Sequence, residues 1–261
     1  MIILLMLIVS FTYISARAPE FHGYWLRDKV GSKVYTIKDA PDGGGGTGFA
    51  VKVPSGKSYI LTNDHVCKIS SDHVTLLIED DNGLSIRRKI IERSIYTDLC
   101  LIEGIDGVEG LEVGDEPMVG QVVASIGHPS LMPITLSRGE VISQEDAAIP
   151  VGPIAILDPD TGERHLIPPE RGGVAPEDCM LPKNMQVESK IDVFIFQLPG
   201  LICINVIRKA YHTNMLIQPG SSGSPVVDFW GNVVGVVFAG DRSMWAMVVS
   251  HKDLTKFLKY Y

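Results

Sequence analysis

The sequence predicts an all-β fold of two barrels or sandwiches closed by one C-terminal helix. Three observations carry that expectation. Short apolar runs recur along the chain, each bounded by turn residues, as in proteins built of many short strands. Helical spacing of apolar residues is convincing only near the end. The 26 glycines and 16 prolines supply the many turns such a fold needs. With 261 residues, 45% of them hydrophobic, the chain can fill one large core or two small ones.

The elements follow in order. Residues 2–14 read I-I-L-L-M-L-I-V-S-F-T-Y-I, almost wholly apolar. A bilayer crossing needs about 20 residues, so the run is short for a span and suits the apolar region of a secretory signal. Ala16-Arg17-Ala18 offers a small-residue cleavage pattern. Residues 1–18 are therefore expected to be a signal peptide or an N-terminal anchor, with a buried strand or a tail as the remaining reading. Strands are expected at 33–37, 48–53, 58–62, 74–79, 85–91, 99–103, 121–127 and 139–143, with hairpin turns at Pro54-Ser55-Gly56 and Asp81-Asn82-Gly83. Residues 145–192 differ. Their seven prolines, the pair Gly172-Gly173 and weak alternation read as a long insertion. Strands resume at 193–197, 202–207, 215–218, 225–229, 233–239 and 245–249. Ser250 is placed to cap a helix over 252–260, whose Leu254, Phe257 and Leu258 share one face.

Charge and metal-ligand patterns narrow the function classes. The net charge is −8 with no long block of either sign, which argues against a nucleic-acid partner, because phosphate contacts need clustered Lys and Arg. Arg87-Arg88-Lys89 reads as a solvated strand end. His22, His73, His128, His165, His212 and His251 show no metal-ligand spacing, and no C-x-x-C pair exists, so no metal or cofactor is expected. The glycine-rich stretch 43–48 lacks the Lys-Ser/Thr of a phosphate loop and reads as a flexible hinge before a strand. Four cysteines, Cys67, Cys100, Cys179 and Cys203, permit two disulfides in an exported chain. Cys67 and Cys100 each lie two residues after His65 and Asp98. If those two residues meet, the cysteines approach one another, and a bridge and a pair of buried thiols both remain open.

Three segments carry chemistry together. Gly220-Ser221-Ser222-Gly223-Ser224-Pro225 puts a serine in a glycine-flanked turn. Leu61-Thr62-Asn63-Asp64-His65 ends an apolar run on a histidine. Asp98-Leu99-Cys100-Leu101-Ile102 opens one on an aspartate. A serine hydroxyl is a weak nucleophile at neutral pH. It needs a base within hydrogen-bond reach, and the base needs an acid to fix its tautomer. Each residue alone has a bland reading as a turn or core residue. Jointly, in the order His, Asp, Ser with spacings of 33 (98 − 65) and 124 (222 − 98), they read as Ser222, His65 and Asp98 in those three roles. Glycines around Ser222 let backbone N–H groups point into a common cavity.

The wider pattern resembles the trypsin/chymotrypsin-like serine proteases, on their Htr/Deg-like branch. Gly46-Thr47-Gly48-Phe49 with Ile60-Leu61-Thr62-Asn63-Asp64-His65-Val66 is similar to that branch's G-S-G-F … I-L-T-N-x-H-V. Asp98–Ile102 is similar to D-L-A-V-I, and Gln218-Pro219-Gly220-Ser221-Ser222-Gly223-Ser224-Pro225 to N-P-G-N-S-G-G-P. Ile126-Gly127-His128-Pro129 and Gly231-Asn232-Val233-Val234-Gly235-Val236 match its I-G-x-P and G-x-V-I-G-I. The resemblance implies two six-stranded antiparallel β-barrels, chymotrypsin-like, with a C-terminal α-helix. Residues 19–115 would carry His65 and Asp98, and 116–261 would carry Ser222 and the insertion. It implies an oxyanion hole from Gly220, Ser221 and Ser222. It also implies a substrate pocket from Leu216, Phe238, Ala239, Gly240, Trp245 and Met247, with Phe238-Ala239-Gly240 pairing to extended substrate. No acid stands where Arg or Lys would be selected, so small or medium apolar side chains are expected before the cut bond. Ser221 stands where the family has Asp or Asn, and Ser224 replaces a glycine. The chain ends just past the terminal helix, so the PDZ domain that many Htr/Deg proteins carry is expected to be absent. The expectation is a secreted or extracytoplasmic serine endopeptidase acting on polypeptides through an acyl-enzyme. The competing readings are a weak or inactive protease-fold binding module, and a viral or phage maturation protease with one substrate.

Overall fold

The computed structural model describes residues 23–94, 96–150, 154–157, 164–167, 193–198, 201–240 and 245–261. The expectation for residues 1–18 lies outside them, as do Cys179 and most of the 145–192 insertion. Six strands form a closed antiparallel barrel: β1 (Val34–Lys38), β2 (Gly45–Lys52), β3 (Ser58–Thr62), β4 (Thr75–Glu79), β5 (Ser85–Ser94) and β6 (Leu99–Ile102), in the order β1-β2-β3-β6-β5-β4. The second sheet holds β7 (Val122–Gly127), β8 (Thr135–Pro150), β9 (Ile154–Leu157), β10 (Arg164–Ile167), β11 (Val193–Leu198), β12 (Leu201–Thr213), β13 (Pro225–Val227), β14 (Val233–Gly240) and β15 (Ala246–Val249). Its path β12-β15-β14-β13-β7-β8 closes on itself because β8 also pairs with β12, from Asn205↔Pro150 to Thr213↔Val141. That ring is the second six-stranded barrel. β9, β10 and β11 extend it, β9 and β11 pairing with the start of β12.

Alternation explains why the central strands of the first barrel read as unbroken apolar runs. Successive side chains point to opposite faces of a strand, and here both faces are buried. Ala50, Ile60, Cys100 and Ile102 face a cluster inside the first barrel with Ile37, Leu76 and Ile78. Phe49, Val51, Leu61, Leu99 and Leu101 face a second cluster shared with Ala124, Ile126, Val236 and Val249 of the second barrel. Val123, Val141, Tyr211, Val226, Val237 and Val248 form a third, inside the second barrel. β5 has no second core to face and alternates between exposed and half-buried.

Helices seal the shared core. α1 (Gly23–Gly31) buries Leu26 and Val30 one turn apart. α2 is the single turn Asp64–Cys67 after β3. α3 (His251–Leu258) buries Leu254 and Leu258, and the Ser250 hydroxyl accepts from Asp253 N–H as its N-cap. The expected helix therefore stands. α1 was not expected, because its apolar residues are only Leu26 and Val30 among exposed Tyr24 and Trp25. Two expectations are corrected. Residues 215–218 are not a strand, since Met215 is buried in the second barrel while the chain turns toward Ser222. Residues 45–48 are not a hinge but the start of β2, and Gly46 is glycine for want of room. A Cβ there would lie 2.7 Å from Val66 Cγ2 and 2.9 Å from the Ser222 carbonyl oxygen.

Candidate active site

β3 and α2 deliver His65. The strand ends at Thr62, Asn63 takes the extended N-cap conformation, and His65 follows in the first turn. Asp98 precedes β6, the neighbour of β3, so strand pairing brings the two together. His65 Nδ1 lies 2.8 Å from Asp98 Oδ2, and His65 N–H donates to Asp98 Oδ1 at 3.0 Å. A carboxylate only accepts, so Nδ1 carries a proton, which in the neutral ring leaves the lone pair on Nε2. The Asn63 amide donates to Asp98 O at 2.9 Å. That holds Asp98 in a left-handed conformation (φ 54°), which Asp tolerates better than most side chains. The Asp98 side chain is 11% exposed and that of His65 37%, so the acid is covered and the base faces the cleft.

The turn bearing His65 is anchored twice more. Cys67 is disulfide-bonded to Cys100, which settles the open question of the bridge. Asp64, almost fully buried, accepts from Arg93 Nε at 2.7 Å and pairs with Lys68 Nζ at 3.1 Å. Two cations on one buried carboxylate keep it from standing as an uncompensated negative charge beside His65.

Ser222 sits in a loop that bridges the barrels. Gly220 and Gly223 have φ of 92° and 88°, accessible to glycine at little cost. A Cβ on Gly223 would also lie 1.9 Å from Thr47 O. Thr47 N–H donates to Ser222 O at 2.8 Å, and the Thr47 hydroxyl donates to Gly220 O at 2.8 Å. That hydroxyl accepts from His128 N–H at 3.0 Å, while Thr47 O accepts from the Thr62 hydroxyl at 2.6 Å. Thr47 thus joins β2, β3 and the nucleophile loop, a role that sequence reasoning missed. Its only signal was being the one non-glycine between Gly46 and Gly48. The Ser222 hydroxyl donates to Phe238 O at 3.5 Å.

Gly220 and Ser222 N–H have no protein partner among the described residues. Ser130 N–H donates to Pro219 O at 2.5 Å, and in a trans peptide this turns the Gly220 N–H to the opposite side. Ser130 and Leu131 adopt left-handed φ of 53° and 57° in the turn Pro129–Leu131, a strain of about 1–2 kcal/mol each. Ser221 is a correction. Its N–H donates to Gln218 O at 2.9 Å and its hydroxyl accepts from Gln218 N–H at 3.3 Å, so it closes the loop on itself and offers no N–H to the cavity. Ser224, where the resemblance has glycine, finds room above Gly127, where a Cβ would lie 1.9 Å from Ser224 Oγ.

The six expected substrate contacts divide. β13 pairs with β14 only as far as Val236, so Phe238, Ala239 and Gly240 keep one edge clear of β13 while β15 takes the other. Phe238 turns its ring into the shared core, so its carbonyl, not its side chain, faces the loop. Leu216 is exposed, and Ile217 instead packs on Gly240, where a Cβ would meet Ile217 Cδ1 at 2.5 Å. Trp245 and Met247 line a separate cavity of about 400 Å3 with Ile142, Ser143, Glu145 and His212. Among the described residues no three His, Cys, Asp or Glu side chains are grouped to hold a metal.

No family model matches the chain. The serine protease Do-like HtrA of Bacillus subtilis (strain 168) is 26% identical over 208 residues, 79% of this chain and 36% of its own length. The chain thus spans about a third of the length of that curated relative. Among solved structures, the active form of the Rv3671c protease from M. tuberculosis superposes with a TM-score of 0.61 at 17% identity, covering 91% of this chain and 84% of that one. Its inactive form gives 0.58 at 18%, covering 93% and 95%. The serine endoprotease of Yersinia pestis gives 0.56 at 15%, covering 91% and 66%. At these identities the solved structures speak for the fold.

Proposed function

We propose that this chain, which has the trypsin-like serine protease fold, is a serine endopeptidase working through Ser222, His65 and Asp98. The observation that carries the proposal is the 2.8 Å contact of His65 Nδ1 with Asp98, facing a serine loop hydrogen-bonded to β2. After rotation of its side chain, Ser222 Oγ attacks the scissile carbonyl as His65 Nε2 takes the hydroxyl proton. Asp98 fixes the tautomer and stabilises the imidazolium that forms. The negative charge on the former carbonyl oxygen falls to the N–H groups of Gly220 and Ser222. Collapse expels the amine, protonated by His65, and leaves an acyl-Ser222. Water, deprotonated by His65, then attacks the ester and frees the enzyme. The end of β14 at Phe238-Ala239-Gly240, beyond the reach of β13, suits backbone pairing with an extended polypeptide. A preference for small or medium apolar side chains before the cut bond is part of the proposal. The Cys67–Cys100 bridge favours an extracytoplasmic setting.

A fluorophosphonate probe tests the nucleophile. Wild-type chain is expected to label and Ser222→Ala to stay unlabelled. Equal labelling of both, or no labelling of wild type where trypsin reacts, rejects the proposal and leaves a binding module on a protease fold. His65→Ala is expected to abolish peptide hydrolysis, because nothing then takes the Ser222 proton. Undiminished hydrolysis by that variant excludes His65 as base.

A further inference from the structure

Three exposed aromatic side chains lie where the proposed chemistry has no use for them. Tyr24 is 87% exposed, Trp25 47% and Trp230 62%. α1 carries the first two and the turn between β13 and β14 the third. These elements are fastened together. Leu26 and Val30 are buried, and a Cβ on Gly231 would lie 3.2 Å from Val30 Cγ2. Lys29 Nζ donates to Trp230 O and stands 5.1 Å from the centre of the Trp25 ring. Phe229 meets Trp230 edge-on at 5.1 Å. The result is an ammonium group that stands over the Trp25 ring and ties α1 to the Trp230 carbonyl, with Tyr24 and Arg27 exposed on the same helix.

Tyrosine and tryptophan favour the headgroup layer of a bilayer, where the ring body is apolar and its N–H or O–H reaches water. Lysine and arginine complete such a face, because their heads rise to the phosphates while their stems stay with the rings. The sequence just ahead supplies a reason for a bilayer to be near. Residues 2–14 are almost wholly apolar. The ten residues from Ile14 to Tyr24 span at most about 35 Å. An apolar run lodged in a membrane therefore keeps the aromatic face within reach of the headgroups.

We propose that Tyr24, Trp25 and Trp230 form a docking face for a lipid bilayer, resting in the headgroup layer when residues 2–14 are lodged in the same membrane. The inference goes beyond peptidase activity and does not depend on it.

The chain has three tryptophans, and Trp245 lines a cavity elsewhere, so it serves as an internal control. Three full-length variants each keep one tryptophan, the other two replaced by phenylalanine. They are mixed with phosphatidylcholine vesicles whose acyl chains carry bromine, a contact quencher. Bound to vesicles, Trp25 and Trp230 are expected to lose most of their emission and Trp245 to keep most of its own. Without lipid, aqueous iodide is expected to quench Trp25 and Trp230. With all three tryptophans otherwise in place, Trp230→Ser is expected to weaken vesicle partitioning about tenfold. Emission from Trp25 and Trp230 untouched by brominated lipid overturns the proposal, as does equal quenching at Trp245. Protection from iodide without lipid also overturns it, since the face is then covered by residues 1–22 or a second copy.

Discussion

Thr47 has no candidate part in bond making, yet four hydrogen bonds meet on it, and two of them run to the Ser222 loop. Thr47→Val keeps the shape and the backbone bonds but strands Gly220 O and His128 N–H, both inside the protein. Each unsatisfied group costs about 1–3 kcal/mol. We expect the variant to lose about 2–6 kcal/mol in urea unfolding and to label more slowly with fluorophosphonate. Unchanged labelling would show that the loop holds its shape without the threonine hydroxyl. Tyr211 makes a different prediction. Burial, foremost, pushes its phenol up to about 12, and the nearby Glu116 carboxylate acts in the same direction. The folded state thus holds the phenol proton more tightly than the unfolded chain, where it leaves near pH 10. The stabilisation is complete below pH 10 and is lost as pH rises toward 12. Melting temperature is expected to fall across that window, and to fall less in Tyr211→Phe.

Among the α-helices, α2 is the shortest and the most constrained. A single turn has no stability of its own, since nucleation costs more than one turn returns. Its place is fixed by the Cys67–Cys100 bridge, which spans 33 residues, and by Arg93 on Asp64. Closing a loop of that size stabilises by about 3–4 kcal/mol in the chain-entropy picture. Replacing both cysteines by alanine is expected to lower unfolding free energy by about that amount. A drop below about 1 kcal/mol would mean that the reduced chain already keeps His65 and Asp98 together. The same element shows what the sequence makes legible. The strands of the first barrel stand close to their expected positions, because runs buried on both faces leave a strong signal. α1 leaves almost none, with two buried positions in nine residues. Ser221 was misplaced because a loop's N–H directions depend on φ values that residue types do not announce.

At the scale of the molecule, the two barrels share a core to which both contribute. Leu254 of α3 is fully buried there, with Phe49 and Leu101 from one barrel and Val236 from the other in the same cluster. Leu254→Ala is expected to cost about 2–5 kcal/mol, read by urea unfolding as one transition rather than two. Two separate transitions would show that each barrel folds on its own. The meeting of His65 with Asp98 was legible because chain order and local pattern agreed. The division of the substrate contacts was not, because which way Phe238 points depends on the pairing of β14. That pairing also sets a timetable. The first barrel is complete in sequence at Ile102, whereas the second waits for β15, which ends at Val249 and pairs with both β12 and β14. During synthesis from the N-terminus the base and its acid are in place well over a hundred residues before the loop that seats Ser222 has its barrel. Under the proposed function, a growing chain holds a base and its acid with no seated nucleophile. It would spare its own unfolded segments until the last strand arrives.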